Sequence, residues 1–343
     1  MLRNAQKASI WSWNLLMREG DPSVKSLLGI YTGLVRPYLE YGAEVWGDFE
    51  WQEAEVLQRL IGKRILRIGK TVANEVVQGE LGWMTLKARR TMLRLFFWEK
   101  IIKMPNTRWV KRVYNEARRR LLTHPDRRNW CSDTRDALQR LGLDLAWTMQ
   151  VTPNDWRELV REKVMELSET EWRAGMAAKP KLDTYRRWKM QLIYEPYLDI
   201  RDVSNRRAMT ELRCGTSRLR IETGRWERLA ITPRQSNNYK TSRKLKRHER
   251  TCKLCFGGVE SEMHFLLDCP RYDTLRMDWL RRVRMEEPWV AEALGKNFRR
   301  QVMTDEDIEN RFRALRWLAQ HKTVKLMAQF IRDCNKVRRS LIN

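Results

Sequence analysis

Four residues within an eighteen-residue stretch have the types and spacing to hold a metal ion: Cys252, Cys255, His264 and Cys269, in the pattern C-x2-C-x8-H-x4-C. Three thiolates and one imidazole fill a tetrahedral zinc shell with no open position, so the spacing predicts a structural Zn²⁺. Cys252 and Cys255 need a tight turn to face one point, and Gly257 and Gly258 follow where the chain must reverse. Met263, Phe265, Leu266 and Leu267 read as one packed turn that delivers His264 and Cys269 from the other side. The plainer alternative is four unrelated residues of a small core. A single C-x2-C would leave that alternative ahead; C-x2-C followed by H-x4-C reverses it.

Catalytic spacings are absent from the sequence. Polymerase chemistry needs paired carboxylates on two metal ions, and no Asp-Asp pair occurs. Neither a Gly-rich Lys-Ser/Thr phosphate loop nor an H-E-x-x-H helix is present. The reading is therefore of a chain that is not an enzyme on its own. His124, His248 and His321 have no partner by spacing. Cys131, Cys214 and Cys334 are scattered and read as inert buried thiols rather than a disulfide framework. Asp305, Glu306 and Asp307 follow Thr304 and read as first-turn acids behind an N-cap, not as a metal site.

Charge gives the second signal. Sixty-eight Lys and Arg against 43 Asp and Glu leave +25, a field that attracts polyanions by releasing their counterions. Nucleic acid is the expected partner; a merely solubilising surface is the alternative. The densest basic run, Thr241–Arg250, supplies Arg243, Lys244, Lys246, Arg247 and Arg250 as candidate phosphate contacts, and Arg218, Arg220 and Arg225 join them from the preceding segment. With 42% hydrophobic and 32% charged residues the chain can bury a sizeable core. No apolar run reaches the eighteen or so residues of a membrane span, and the N-terminus lacks an apolar leader. No membrane partner and a reducing compartment, nuclear or cytoplasmic, are expected.

The elements that must carry these residues read as helices. Residues 1–20 place Ile10, Trp13, Leu16 and Met17 on one face; a second helix runs from Val24 to Val35 and meets Pro37. From Glu53 to Ile68 the apolar set is Val56, Leu57, Leu60, Ile61, Ile65 and Ile68, with Arg59, Lys63, Arg64 and Arg67 largely outside. Leu86–Met104 buries Leu93, Phe96, Phe97 and Ile101 and turns out Arg89, Arg90, Arg94, Lys100 and Lys103. Thr152 reads as an N-cap with Pro153 at the first helical position, ahead of a stripe of Trp156, Leu159, Val160, Val164 and Leu167. Leu275, Trp279, Leu280 and Val283 mark a helix after the Cys/His stretch. Ile308, Phe312, Leu315 and Ala319, then Met327, Phe330, Ile331 and Cys334, mark the last ones, with Lys336–Arg339 expected to fray. Trp172-Arg173 and Tyr185-Arg186-Arg187-Trp188 suit stacking on bases, with helix packing the commoner role.

Several runs resemble the C-terminal part of non-LTR (LINE-type) retrotransposon reverse transcriptase proteins. Leu34–Trp46, with Asn74-Glu75 and Gly79–Trp83, resembles the helical thumb that follows the polymerase palm. Leu212–Trp226, with Cys252–Cys269 and Pro270-Arg271-Tyr272, resembles the segment and Cys-Cys-His-Cys module that end such reading frames. The resemblance implies the same four ligands and four regions: a thumb-like part over 1–105, a helical linker over 106–205, a basic segment with the zinc module over 206–290, and C-terminal helices over 291–343. It implies a mainly α, non-catalytic, nucleic-acid-binding chain, RNA preferred over DNA. Part of a reverse transcriptase working with a palm elsewhere, or a protein-interaction remnant, are the alternatives.

Overall fold

The computed structural model describes residues 1–18, 20–47, 49–230, 242–295 and 303–342. The protein is mainly α-helical, as its periodicities predict. The chain divides into two compact units, Met1–Ile65 with Gly82–Ala178, and Leu66–Leu81 with Lys179–Asn343. These units do not follow the four sequence regions, because residues 66–81 leave the first unit and fold with the second.

In the first half of the chain the helices are α1 (Leu2–Arg18), α2 (Val24–Ile30), α3 (Arg36–Glu40), α4 (Ala43–Trp46), α5 (Gln52–Ile65), α6 (Asn74–Leu81), α7 (Leu86–Ile102), α8 (Trp109–Thr123), α9 (Trp130–Arg140), α10 (Asp144–Met149) and α11 (Trp156–Ala177). All but α6 belong to the first unit. The helix expected to stop before Pro37 carries on into α3 through a π-turn, Tyr31–Val35, closed by Arg36 N–H donating to the Tyr31 carbonyl. The wider turn lets the chain pass a proline that has no N–H of its own. Glycine is required twice in the corner that follows. Gly42 has φ +66°, and a Cβ on Gly47 would stand 2.2 Å from the Ala43 carbonyl oxygen and 2.9 Å from Arg90 Cβ.

The core of this unit is built on α7, α9 and α11, around Leu95, Trp98, Cys131, Leu138, Trp156 and Val160. Trp98 Nε1 donates to Tyr114 Oη at 3.1 Å and Trp156 Nε1 to the Leu95 carbonyl at 3.2 Å, so both indoles are buried without an orphaned donor. The Trp156–Val160–Val164 stripe is buried as its spacing predicts. Thr152 is not the cap, however: α11 starts at Trp156, after a turn.

Several faces differ from the periodic reading. In α1 the buried residues are Ala5, Ser9 and Ser12, while Ile10 is exposed; the side chains of Leu16 and Met17 lie outside the described residues. In α5 Val56 and Leu60 are exposed and Lys63 is buried. In α7 Arg90 and Arg94 point inward. Arg90 donates to the carbonyls of Gly47 (3.4 Å) and Phe49 (3.2 Å) and packs over Trp46; Arg94 donates to Val45 O at 3.4 Å, 3.6 Å from Asp133. Both arginines satisfy the carbonyls left at the end of the short helix α4, a demand no window of α7 alone reveals.

The second unit adds α12 (Asp183–Trp188), α13 (Val203–Arg213), α14 (Arg220–Thr223), a two-stranded ribbon of β1 (Arg228–Ala230) and β2 (Ser242–Lys244), then α15 (Asp273–Glu286), α16 (Pro288–Gly295), α17 (Asp305–Gln320) and α18 (Val324–Ile342). The ribbon is antiparallel, with Leu229 opposite Arg243. Thr304 caps α17 in a reciprocal box with Asp307, as predicted. Trp279 of α15 stacks on Phe330 of α18 at 4.4 Å. Trp172, in the first unit, and Tyr185 and Trp188, in the second, are buried, so these aromatics pack rather than wait for bases. Lys336–Arg339 does not fray: α18 continues to Ile342 and Arg338 is buried.

A buried charge quartet joins α6 to α13. Arg213 donates to Glu80 at 3.0 Å and lies 3.1 Å from Glu195, which also pairs with Lys189. Trp188 and Tyr197 lie against the Arg213 guanidinium. Burial raises the Glu80 carboxyl, but Arg213 and then Lys189 outweigh it and hold it below the usual carboxylate range. A depressed carboxyl gives stability that is full above its unfolded pKa and is lost as pH falls through the lower folded value. Arg213→Met should therefore cost about 3–5 kcal/mol, since it leaves buried carboxylates without their cation. In urea titrations followed by hydrogen exchange, protection should be lost first in residues 74–81 and 189–213, and the wild-type advantage should shrink in acid. Unchanged stability would show that the quartet is not what holds α6.

Candidate metal centre

The ligand atoms of Cys252, Cys255, His264 and Cys269 all lie within 4.8 Å of one another, so the four residues chosen by spacing converge on one point that can hold a metal ion. Cys255 Sγ and His264 Nε2 are 3.3 Å apart. Cys252 and Cys269 are fully buried, Cys255 and His264 half-buried.

Two local structures present them. The first is a knuckle in which Cys252 N–H donates to the Gly258 carbonyl at 2.8 Å and Glu260 N–H to the Arg250 carbonyl at 2.9 Å. Two residues of this knuckle have positive φ, Phe256 at +56° and Gly258 at +159°, and the Phe256 ring is turned out to solvent, 77% exposed. Gly257 instead donates its N–H to Cys255 Sγ at 3.4 Å, a contact that favours thiolate. The second is a π-turn, His264–Asp268, in which Cys269 N–H donates to the His264 carbonyl at 2.8 Å. Phe265, Leu266 and Leu267 are buried beneath it, as expected of a packed turn, and Phe265 meets Tyr272 edge-on at 5.1 Å.

Three sulfurs this close cannot all ionise by themselves. Cys252 is held down to about 3, by hydrogen bonds from Cys269 and from His264 and backbone N–H groups, against its burial. Cys269 is pushed up by its bond to that sulfur and by burial, and Cys255 by burial first. A cation at the centre removes this conflict by paying for the second and third thiolates. The remaining thiols, Cys131, Cys214 and Cys334, are buried and pushed up by burial, Cys131 to about 12, which fits inert residues.

Arginines tie the two halves to the rest of the unit. Arg271 donates to the Leu254 carbonyl at 3.0 Å, Arg276 to the carbonyls of Leu266 and Cys269 at 2.8 Å, and Arg311 of α17 to Asp268 at 2.9 Å. Glu260, 1% exposed, is the hub: it accepts Arg220 N–H at 2.8 Å and both prongs of Arg338 of α18 at 2.9 and 2.8 Å. Its Oε1 stands 3.8 Å from Cys252 Sγ, and Arg338 offsets the negative charge it brings beside that sulfur.

The predicted phosphate contacts are distributed unevenly. Arg243 forks onto Glu249 at 2.5 and 2.6 Å; Arg250 donates to the Ile221 carbonyl at 2.9 Å; Arg220 bonds Thr251 O at 3.2 Å and Glu227 at 2.5 Å; Arg225 bonds Glu222 at 2.7 Å. These four brace the ribbon and knuckle. Arg218, Lys244, Lys246 and Arg247 are exposed, Lys244 lying over the exposed Trp226 ring. Sequence reasoning missed Arg207, Arg332, Lys336 and Arg339, which line a cavity with Arg218. The signal was present as basic residues four apart in α18, Arg332 with Lys336, but needed the partner helix to gain meaning.

Comparison with protein families, with curated proteins and with solved structures finds no match.

Cys252→Ser should lower bound metal from one equivalent towards none. Hydrogen exchange should rise over residues 250–275 and, through Glu260, over the C-terminal half of α18, leaving α7 and α11 protected. Protein that holds no metal, yet is protected over 250–275, would mean four ordinary core residues.

Proposed function

We propose that the chain is a non-catalytic nucleic-acid-binding protein, taking RNA in preference to DNA, whose Cys252, Cys255, His264 and Cys269 hold a structural Zn²⁺. Soft sulfur donors with one imidazole suit zinc, and a closed four-ligand shell leaves no place for substrate. When bound, zinc supplies folding free energy on the order of 10 kcal/mol in comparable small modules. The reading rests on one juxtaposition: a Cys3His group set among basic segments of a chain whose net charge is +25. Lys244, Lys246 and Arg247 offer exposed cations beside the knuckle, with Trp226 as a ring on which a base can stack. The likeness to the C-terminal part of LINE-type reverse transcriptase proteins belongs to the same proposal, as does placement in the nucleus or cytoplasm.

Binding should weaken steeply with salt, log affinity falling by about 0.7 per phosphate contact on single strands. Lys244→Ala/Lys246→Ala/Arg247→Ala should weaken RNA and DNA alike and flatten that slope; an unchanged slope would mark the run as a solvated loop. Purified protein with Mg²⁺ or Mn²⁺ should extend no primer and cut no strand. Metal-dependent extension lost on replacing a single acidic residue would refute the non-catalytic reading. Zinc is checked by elemental analysis: a different metal at one equivalent would correct the cofactor alone.

A further inference from the structure

Helices α13 and α18 pack along one another and leave between them a cavity of about 480 Å³. Its walls carry Arg207, Arg218, Arg332, Lys336 and Arg339, with Ser204 and Asn335 as neutral hydrogen-bonding groups. The acids that face these cations are accounted for. Glu211 pairs with Arg207 at 2.8 Å; Asp333 pairs with Arg332 at 2.9 Å and lies 3.5 Å from Lys336; Asp202 stands 4.0 Å from Arg332. Arg218 and Arg339 are exposed, and among the described residues neither forms an ion pair. Two guanidiniums that line one concave cavity together with a hydroxyl and an amide suit phosphate oxygens. A concave groove admits a narrow strand, whereas a planar lipid surface meets flat or convex basic faces.

The groove is also mechanically connected to the metal centre. Arg338, one residue before Arg339 on α18, is clamped by both oxygens of Glu260, and Glu260 belongs to the knuckle that carries Cys252 and Cys255. Through this clamp the knuckle holds the end of α18 that carries Arg339. We infer that this groove grips the phosphodiester backbone of a nucleic-acid strand, and that the metal centre sets the grip through the Glu260–Arg338 pair. The inference rests on the proposed nucleic-acid function and gives it a place and a control.

The test uses the full chain and a mixed-sequence single-stranded RNA, with affinity measured over a range of salt. Arg218→Ala/Arg339→Ala changes two exposed residues, so metal content and helicity should stay as in the wild type. Its salt slope should flatten by about 1.4, two contacts at about 0.7 each, with affinity falling at least ~10-fold at low salt. Arg218→Lys/Arg339→Lys, which keeps the charge, should restore the slope. Removing metal with a chelator should weaken the wild type by a larger factor than it weakens the Ala variant, because the variant has already lost the contacts the clamp positions. Wild-type binding with an unaltered slope in the Ala variant would overturn the groove while leaving the function intact. Equal chelation factors in both proteins would overturn the link to the metal. Binding to vesicles of anionic phospholipid that depends on Arg218 and Arg339, with RNA affinity unaffected, would assign the groove to lipid phosphate instead and overturn the inference. No RNA binding by the wild type would remove the function and the inference together.

Discussion

Arg213 is the constraint on which the second unit depends. A guanidinium 1% exposed cannot stay charged without partners, and Glu80 and Glu195 supply them from two other segments. Because the quartet of Arg213, Lys189, Glu80 and Glu195 is neutral in sum, it can be buried as a whole but not in parts. Its geometry therefore fixes α6, the stretch around Tyr197 and α13 against one another, and Tyr185 and Trp188 fill the space around it. On α13 so placed stands one wall of the basic groove, and α18 packs on the same helix.

The metal module repeats this logic on a smaller scale. It has few apolar residues, and its strength comes from directed bonds: arginines reaching carbonyls, and one carboxylate reaching an arginine. Part of the chain's positive charge is thus internal. Arg90, Arg94, Arg213, Arg276, Arg311 and Arg338 are all buried. Net charge sets the far field that draws a polyanion, but only the residues left outside can touch it.

What could be read from the sequence was what local chemistry decides. Ligand spacing found the Cys3His group that can hold a metal ion, because a C-x2-C turn and an H-x4-C turn are complete within a few residues. The Thr304–Asp307 box and the stripes of α11, α17 and α18 were legible for the same reason. What could not be read depended on partners far along the chain. Arginine at a helical position reads as outward, yet Arg90 serves carbonyls 41 and 43 residues earlier and Arg338 serves Glu260, 78 residues earlier. The basic end of α18 looks like a fraying tail until that carboxylate is known. In α1, Ser9 and Ser12 face the core because hydroxyls can return their hydrogen bonds to the helix itself, as Ser12 does to the Ala8 carbonyl at 2.6 Å. Hydropathy alone scores such a face as polar.

The excursion of residues 66–81 governs how the protein can be made and taken apart. Glu80 emerges from the ribosome 133 residues before Arg213, a wait of roughly 7 to 27 s at ordinary synthesis rates. During that time Val76, Val77 and Leu81, buried in the finished fold, wait for the rest of the unit they belong to. No single cut separates the units either. A fragment ending near Ala178 keeps α6 without its partners, and a fragment starting near Lys179 keeps Arg213 without Glu80. Dissection that respects the fold has to excise α6 and graft it onto the second piece, so the chain's two halves are one genetic object even where they are two physical ones.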